Sequence, residues 1–131
     1  MPQSPVSAPK GVGIDVVSFS RVREFYEKHS DQLRKILSGP ELEKIKSDPN
    51  PPEALAFSFS AKEAVFKSLD LDWLGVEGFR MIQVYSTPDR RKARAEVSGL
   101  LARKLNGRLK RWEIDFEAVE RQFVIARCIA F

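Results

Sequence analysis

The chain has 131 residues, 22 Lys and Arg against 18 Asp and Glu, and 43% hydrophobic residues. That is the size of one ordinary domain, and a net charge of +4 suits an acidic or phosphate-bearing partner without singling out nucleic acid. The single cysteine, Cys128, excludes an intrachain disulfide, and no apolar run reaches the roughly 20 residues of a membrane helix.

Residues 1–10 begin MPQSPVSAP, Pro- and Ser-rich with no apolar signal region, and read as a disordered tail ahead of a single domain over 11–131. Residues 11–17 (GVGIDVV) are short, apolar and rich in Val and Ile, which predicts a buried strand. The acid within it, Asp15, is costly there unless something positive meets it. Ser18 or Ser20 then caps a helix to about His29, where the histidine complements the helix dipole. Ser38-Gly39-Pro40-Glu41 has capping-box spacing and starts a second helix through Ile45. The breaker cluster Asp48-Pro49-Asn50-Pro51-Pro52 predicts a loop.

Residues 53–69 (EALAFSFSAKEAVFKSL) carry the longest helical pattern, with Leu55, Ala61, Val65 and Leu69 near one apolar face. Phe59, Glu63 and Lys67, spaced i, i+4, i+8, form a separate stripe. Residues 70–78 read as a connector, 79–86 and 93–97 as strands, and 98–106 as a helix stopped by Asn106-Gly107. Residues 112–116 alternate strictly, as a strand with one buried face does. Residues 124–131 are apolar on both faces and predict an interior strand, in which Cys128 is a small buried hydrophobe. The order is strand, three helices, two strands, helix, two strands. It predicts an α+β fold with helices packed on a small antiparallel sheet.

Two acids carry the candidate chemistry. Magnesium takes oxygen ligands, commonly one or two carboxylates completed by substrate phosphates and water, and Asp15 and Glu63 can supply the protein's share from two different elements. Manganese accepts the same donors. Lys62 and Lys67, on the helix of Glu63, would stand as point charges beside phosphates. Spacing alone favours a plainer reading for Glu63 and Lys67, an exposed i,i+4 ion pair worth roughly 0.3–0.5 kcal/mol. It leaves Asp15 open between a metal ligand and a capping or turn acid.

Gly13-Ile14-Asp15-Val16-Val17, followed by Arg21-Val22, is similar to the N-terminal signature of the holo-acyl-carrier-protein synthase family. Phe59-Ser60-Ala61-Lys62-Glu63-Ala64-Val65-Phe66-Lys67 resembles the central signature of the 4′-phosphopantetheinyl transferase superfamily, an aromatic followed by x-x-Lys-Glu-Ala-x-x-Lys. Ile36-Leu37-Ser38-Gly39-Pro40-Glu41-Leu42 between them resembles the family's hydrophobic-Thr/Ser-x-x-Glu-Leu segment. The resemblance covers residues 11–69, with element order agreeing to the C-terminus.

The resemblance implies a transferase that moves 4′-phosphopantetheine from coenzyme A to a serine of an apo acyl or peptidyl carrier protein and releases adenosine 3′,5′-bisphosphate. It implies Asp15 and Glu63 as metal ligands for Mg2+, Lys62 and Lys67 beside the coenzyme A phosphates, and Glu63 and Lys67 as the catalytic groups. Arg21 aligns with the arginine used for carrier docking, and Arg23 and Lys28 on the same helix would add charge complementary to an acidic carrier. Short members of the family are homotrimers with sites at subunit interfaces, so a homotrimer is the expectation here. A cytoplasmic location, no membrane and no nucleic acid complete the set; the two tyrosines and two tryptophans form no stacking platform.

The chain also departs from the family. Phe57 and Ser58 stand where Gly-Arg is usual, Ser18 replaces an acid, and Ser86-Thr87-Pro88-Asp89-Arg90-Arg91-Lys92 replaces a Gly-Lys-Pro turn. No histidine precedes the last strand, which leaves the general base open between Glu63 and a metal-bound water. The alternative reading is a non-catalytic relative serving as an interaction domain in a synthase assembly.

Overall fold

The structure, a computed structural model, describes residues 8–69, 71 and 76–131. Five strands form one antiparallel sheet: β1 (Gly11–Ser18), β2 (Ile82–Ser86), β3 (Lys92–Val97), β4 (Trp112–Val119) and β5 (Phe123–Ala130). Their spatial order is β1-β5-β4-β3-β2, so β5 is the interior strand its two-sided apolar sequence demands, and β1 and β2 are the edges. The helices are α1 (Phe19–Lys28), α2 (Gly39–Lys46), α3 (Pro51–Ser68) and α4 (Gly99–Leu105), with 3-10 turns at Ser30–Lys35 and Val76–Met81. This is the expected α+β arrangement, and no described helix is long and apolar enough to cross a membrane.

The elements begin and end for local chemical reasons. Ser18 caps α1 by accepting from the Arg21 amide at 3.4 Å, and His29 stands at its C-cap. Ser38 and Glu41 close the capping box of α2 reciprocally, and Asn106 ends α4 in the left-handed region at φ 49°. Two of the boundaries that differ from the sequence reading have a local cause. α3 starts at Pro51, because Asn50 accepts from the Glu53 amide and proline is compatible with the first helical turn. Phe79 to Met81 are not strand but the end of a 3-10 turn. The connector assigned to residues 70–78 lies partly outside the described residues.

The inner face of the sheet packs on α3. Cross-strand pairing puts Val17, Val124, Ala126, Cys128, Ile114 and Phe116 on that face, all buried. Cys128 is fully buried, and burial pushes its thiol up to about 11. β1 lies exceptionally close to α3. A Cβ on Gly13 would fall 1.9 Å from the Ala64 carbonyl oxygen, and one on Gly11 would fall 2.1 Å from that of Ser68. Only glycine lets these two backbones touch.

The outer face is divided. Val12, Ile14 and Val16 on β1, with Phe123 and Ile129 on β5, are exposed apolar side chains. Towards β4 the face turns polar, where Arg127 donates to Asp115 at 2.6 Å and to Glu117 at 3.4 Å.

Candidate active site

The approach of β1 to α3 brings the sequence-predicted acids together. Asp15 follows Gly13 by two residues, so it shares the inward face and points at α3. There Lys67 Nζ donates to Asp15 Oδ1 at 2.9 Å and to the Ile14 carbonyl at 3.2 Å. The positive partner that a strand aspartate requires is therefore Lys67. Lys67 turns across to β1 instead of pairing with Glu63 on its own helix, so the i,i+4 ion pair favoured by spacing does not form.

Glu63 lies one turn before Lys67, partly buried, and faces the same place. Its carboxyl is held above its ordinary value, first by burial and then by the charge of Asp15, with Lys67 opposing. A carboxyl group held up by burial and by the charge of a neighbouring carboxylate is an arrangement a cation would relieve. Oxygen donors on two elements, open to a groove, fit magnesium, which leaves further positions to phosphate oxygens and water. Among the described residues no group of three or more His, Cys, Asp or Glu could hold a metal, and Asp15 and Glu63 are the acids that meet here.

A groove of about 1040 Å3 starts at this cluster. Asp15 and Glu63 line it, and it continues between α1 and α3 past Val22, Phe25, Leu55 and Phe59, with Phe79 also in its wall. Leu55 precedes Glu63 by eight residues, so the groove follows α3 for about 12 Å. One end is anionic and the body is apolar and aromatic.

Arg21 lines the mouth of the groove from α1 and is exposed. Lys28 lies seven residues on, on the same helical face, paired with Glu24 at 2.9 Å, both exposed. Arg23 is exposed but lies about 200° round the helix from Arg21. The three cations called for docking thus occupy two sides of α1, and only Arg21 borders the groove.

Lys62 is placed elsewhere. It is fully buried, and its ammonium donates to Glu41 Oε1 at 2.7 Å, to the Phe79 carbonyl at 2.7 Å and to the Ile82 carbonyl. In this chain it has no donor left for a coenzyme A phosphate. The sequence reading missed this partner set, although Ser38 and Glu41 had already been singled out as a motif.

The two main departures from the family meet each other. Phe57 is buried edge-on against Phe116, with centroids 5.1 Å apart, and Arg90 of the β2–β3 turn lies over its ring at 5.5 Å. Arg90 also binds Asp48 and, at 3.4 Å, Glu53. The basic turn is thereby fastened to the start of α3, with Arg91 left in solvent.

Comparison with known proteins places the sequence and the fold in a family. The holo-[acyl-carrier-protein] synthase of Clostridium kluyveri is 40% identical over 81 residues, covering 62% of this chain and 60% of that protein. That of Chlorobaculum tepidum is 36% identical over 73 residues, 50% of this chain and 62% of that protein. The chain thus spans about 60% of the length of these curated relatives. The crystal structure of holo-[acyl-carrier-protein] synthase from Neisseria meningitidis superposes with a TM-score of 0.79 at 25% identity, covering 95% of this chain and 99% of the other. The Helicobacter pylori synthase in complex with coenzyme A shares the fold at TM-score 0.71 and 22% identity, over 92% and 99% of the two chains. The sequence profile described as the 4′-phosphopantetheinyl transferase superfamily matches residues 11–128, nearly the whole of the chain from the first strand to the last, and the chain belongs to that superfamily.

Proposed function

We propose that this chain transfers the 4′-phosphopantetheine group of coenzyme A to a serine of an apo acyl carrier protein. The observation that carries the reading is the convergence of Asp15, Glu63 and Lys67 at one end of an apolar groove. The pyrophosphate sits at that end. The neutral pantetheine arm suits the apolar body of the groove better than the charged adenosine bisphosphate does.

The carrier's serine oxygen attacks the phosphorus that bears the pantetheine arm, and the bond from that phosphorus to the bridging oxygen breaks. Adenosine 3′,5′-bisphosphate leaves with the electron pair. Asp15 and Glu63 would hold Mg2+, which would supply neutralisation of the pyrophosphate charge. Lys67 spends two of its three N–H groups on Asp15 and Ile14, and directs the third at a phosphate oxygen where charge develops. Glu63, which lines the groove beside Asp15, takes the serine proton. Arg21 at the mouth steers the acidic carrier, with Arg23 and Lys28 adding longer-range attraction.

The exposed apolar strip on β1 and β5 supports assembly, and we assign it to a homotrimer. The single buried free thiol fits the reducing cytoplasm.

The test is incubation with coenzyme A, Mg2+ and a panel of apo carrier proteins, read by mass spectrometry of the carrier. A phosphopantetheine adduct on the carrier serine is expected. Coenzyme A binding without an adduct on any carrier would convert the chain into a binding relative.

A further inference from the structure

Four separate segments meet at one buried polar node on the side of α3 away from Asp15. Lys62, fully buried, donates to Glu41 of α2, to Phe79 of the 3-10 turn and to Ile82 at the start of β2. Glu41 Oε1 also accepts from the Ser38 amide at 3.1 Å, and Oε2 lies 3.5 Å from the Val84 amide. The Ser38 hydroxyl reaches Gln83 Oε1 at 3.0 Å. Burial pushes the Lys62 ammonium down, and Glu41 opposes that shift.

Taking two charges out of water costs several kcal/mol, and such pairs are often matched or beaten in stability by apolar side chains of similar volume. Stability is therefore a weak reason for this one, and geometry is a better one. Lys62 precedes Glu63 by a single residue, or about 100° of helix rotation. Pinning Lys62 inward sets the rotation of α3 at which Glu63 faces the groove. Phe79 gives Lys62 its carbonyl while its side chain helps wall the groove. One ammonium thus fixes both the acid and part of the wall.

We propose that Lys62 and Glu41 are a positioning pair that orients Glu63 and seats Phe79, and that Lys62 never touches the substrate. The catalytic part of this rests on the transferase reading above; the placement of Lys62 does not.

Two measurements test it. Reductive methylation of the folded wild-type protein, mapped by mass spectrometry, should leave Lys62 unmodified with or without coenzyme A and Mg2+. Lys67 should be modified in the free protein and protected by coenzyme A. Modification of Lys62 in the folded free protein, suppressed by coenzyme A, would overturn the proposal. In the transfer assay, Lys62→Met should lower kcat by roughly tenfold or more with KM for coenzyme A changed less than about threefold. Glu41→Leu added to Lys62→Met should recover roughly tenfold, because it removes the buried unpaired carboxylate. A phosphate-binding lysine could not be rescued that way, so a folded double variant with no recovery also overturns the proposal. If the wild-type protein modifies no carrier, the transferase reading fails and the methylation pattern still decides the placement of Lys62.

Discussion

Lys67 and Asp15, 52 residues apart in sequence, meet at 2.9 Å across the gap between α3 and β1. The lysine is about half exposed, at 49%, so the pair adds at most about 1 kcal/mol to stability. On the transferase reading proposed above, its value lies in holding a carboxylate and an ammonium where a pyrophosphate would enter. Asp15→Ala and Lys67→Ala should therefore lose activity out of proportion to stability. We expect transfer to fall by about a hundredfold or more in each, with Tm lowered by no more than about 5 °C. Near-wild-type activity in either variant would remove that residue from the site.

How much of this was legible in the sequence depended on whether the signal was local. The capping box at Ser38 and the helical stripe of α3 declare themselves within a few residues. The Val and Ile of β1 declare a strand, though not the buried one they predict: β1 is an edge whose Val12, Ile14 and Val16 are exposed. Pro51 and Pro52 misled because proline both breaks a helix and starts one, and Asn50 as cap decides between them. The segment from Phe79 to Met81 reads as the start of a strand, yet the Phe79 carbonyl accepts from Lys62. The acids Asp15 and Glu63 were found through their motifs, but the direction of each lysine was not. Neighbours on a helix point about 100° apart, and only the position of the sheet determines that Lys62 faces inward while Glu63 faces the groove. Arg90 over Phe57 was hidden for the same reason, since each looked like an isolated departure.

Gly13 makes the site possible. A methyl group there would overlap the Ala64 carbonyl oxygen, which is backbone and cannot step aside. In Gly13→Ala, β1 has to lift from α3, at a cost of about 1–3 kcal/mol. Asp15 is carried away from Lys67 and Glu63 with the strand. Transfer should fall by about tenfold or more, well beyond what the loss of folded protein explains. Urea denaturation together with kcat/KM on the folded fraction measures both.

Glu63 binds its proton more tightly in the folded chain than in the unfolded one, because of burial first and Asp15 second. Its contribution to stability is therefore fully present below the ordinary carboxylate range and is lost as pH rises through the raised folded value. At neutral pH the ionised group is a cost. Metal-free Glu63→Gln should be more stable than wild type at pH 7, by a margin that solvent screening keeps small, and the advantage should vanish near pH 4. Mg2+ should raise the Tm of the wild type and not that of the variant. Scanning calorimetry at the two pH values, with and without Mg2+, reads all of this. A Glu63→Gln variant less stable than wild type at pH 7 would contradict the electrostatic account.

The exposed strip on the outer sheet face makes the last prediction. Val12 is 65% exposed, its cross-strand neighbour is Ile129, and it is not part of the groove wall. A charge there costs the isolated chain little, within about 0.5 kcal/mol, since most of the side chain is exposed. In an assembly that buries the strip, the same charge would be desolvated without a partner. Val12→Glu should leave far-ultraviolet circular dichroism and Tm at low concentration unchanged while converting a trimer to a monomer in light scattering. Transfer should fall with it if a neighbouring chain completes the site at Asp15 and Glu63. A wild-type protein that is monomeric and fully active at working concentration would exclude the shared site, leaving the groove between α1 and α3 to act alone.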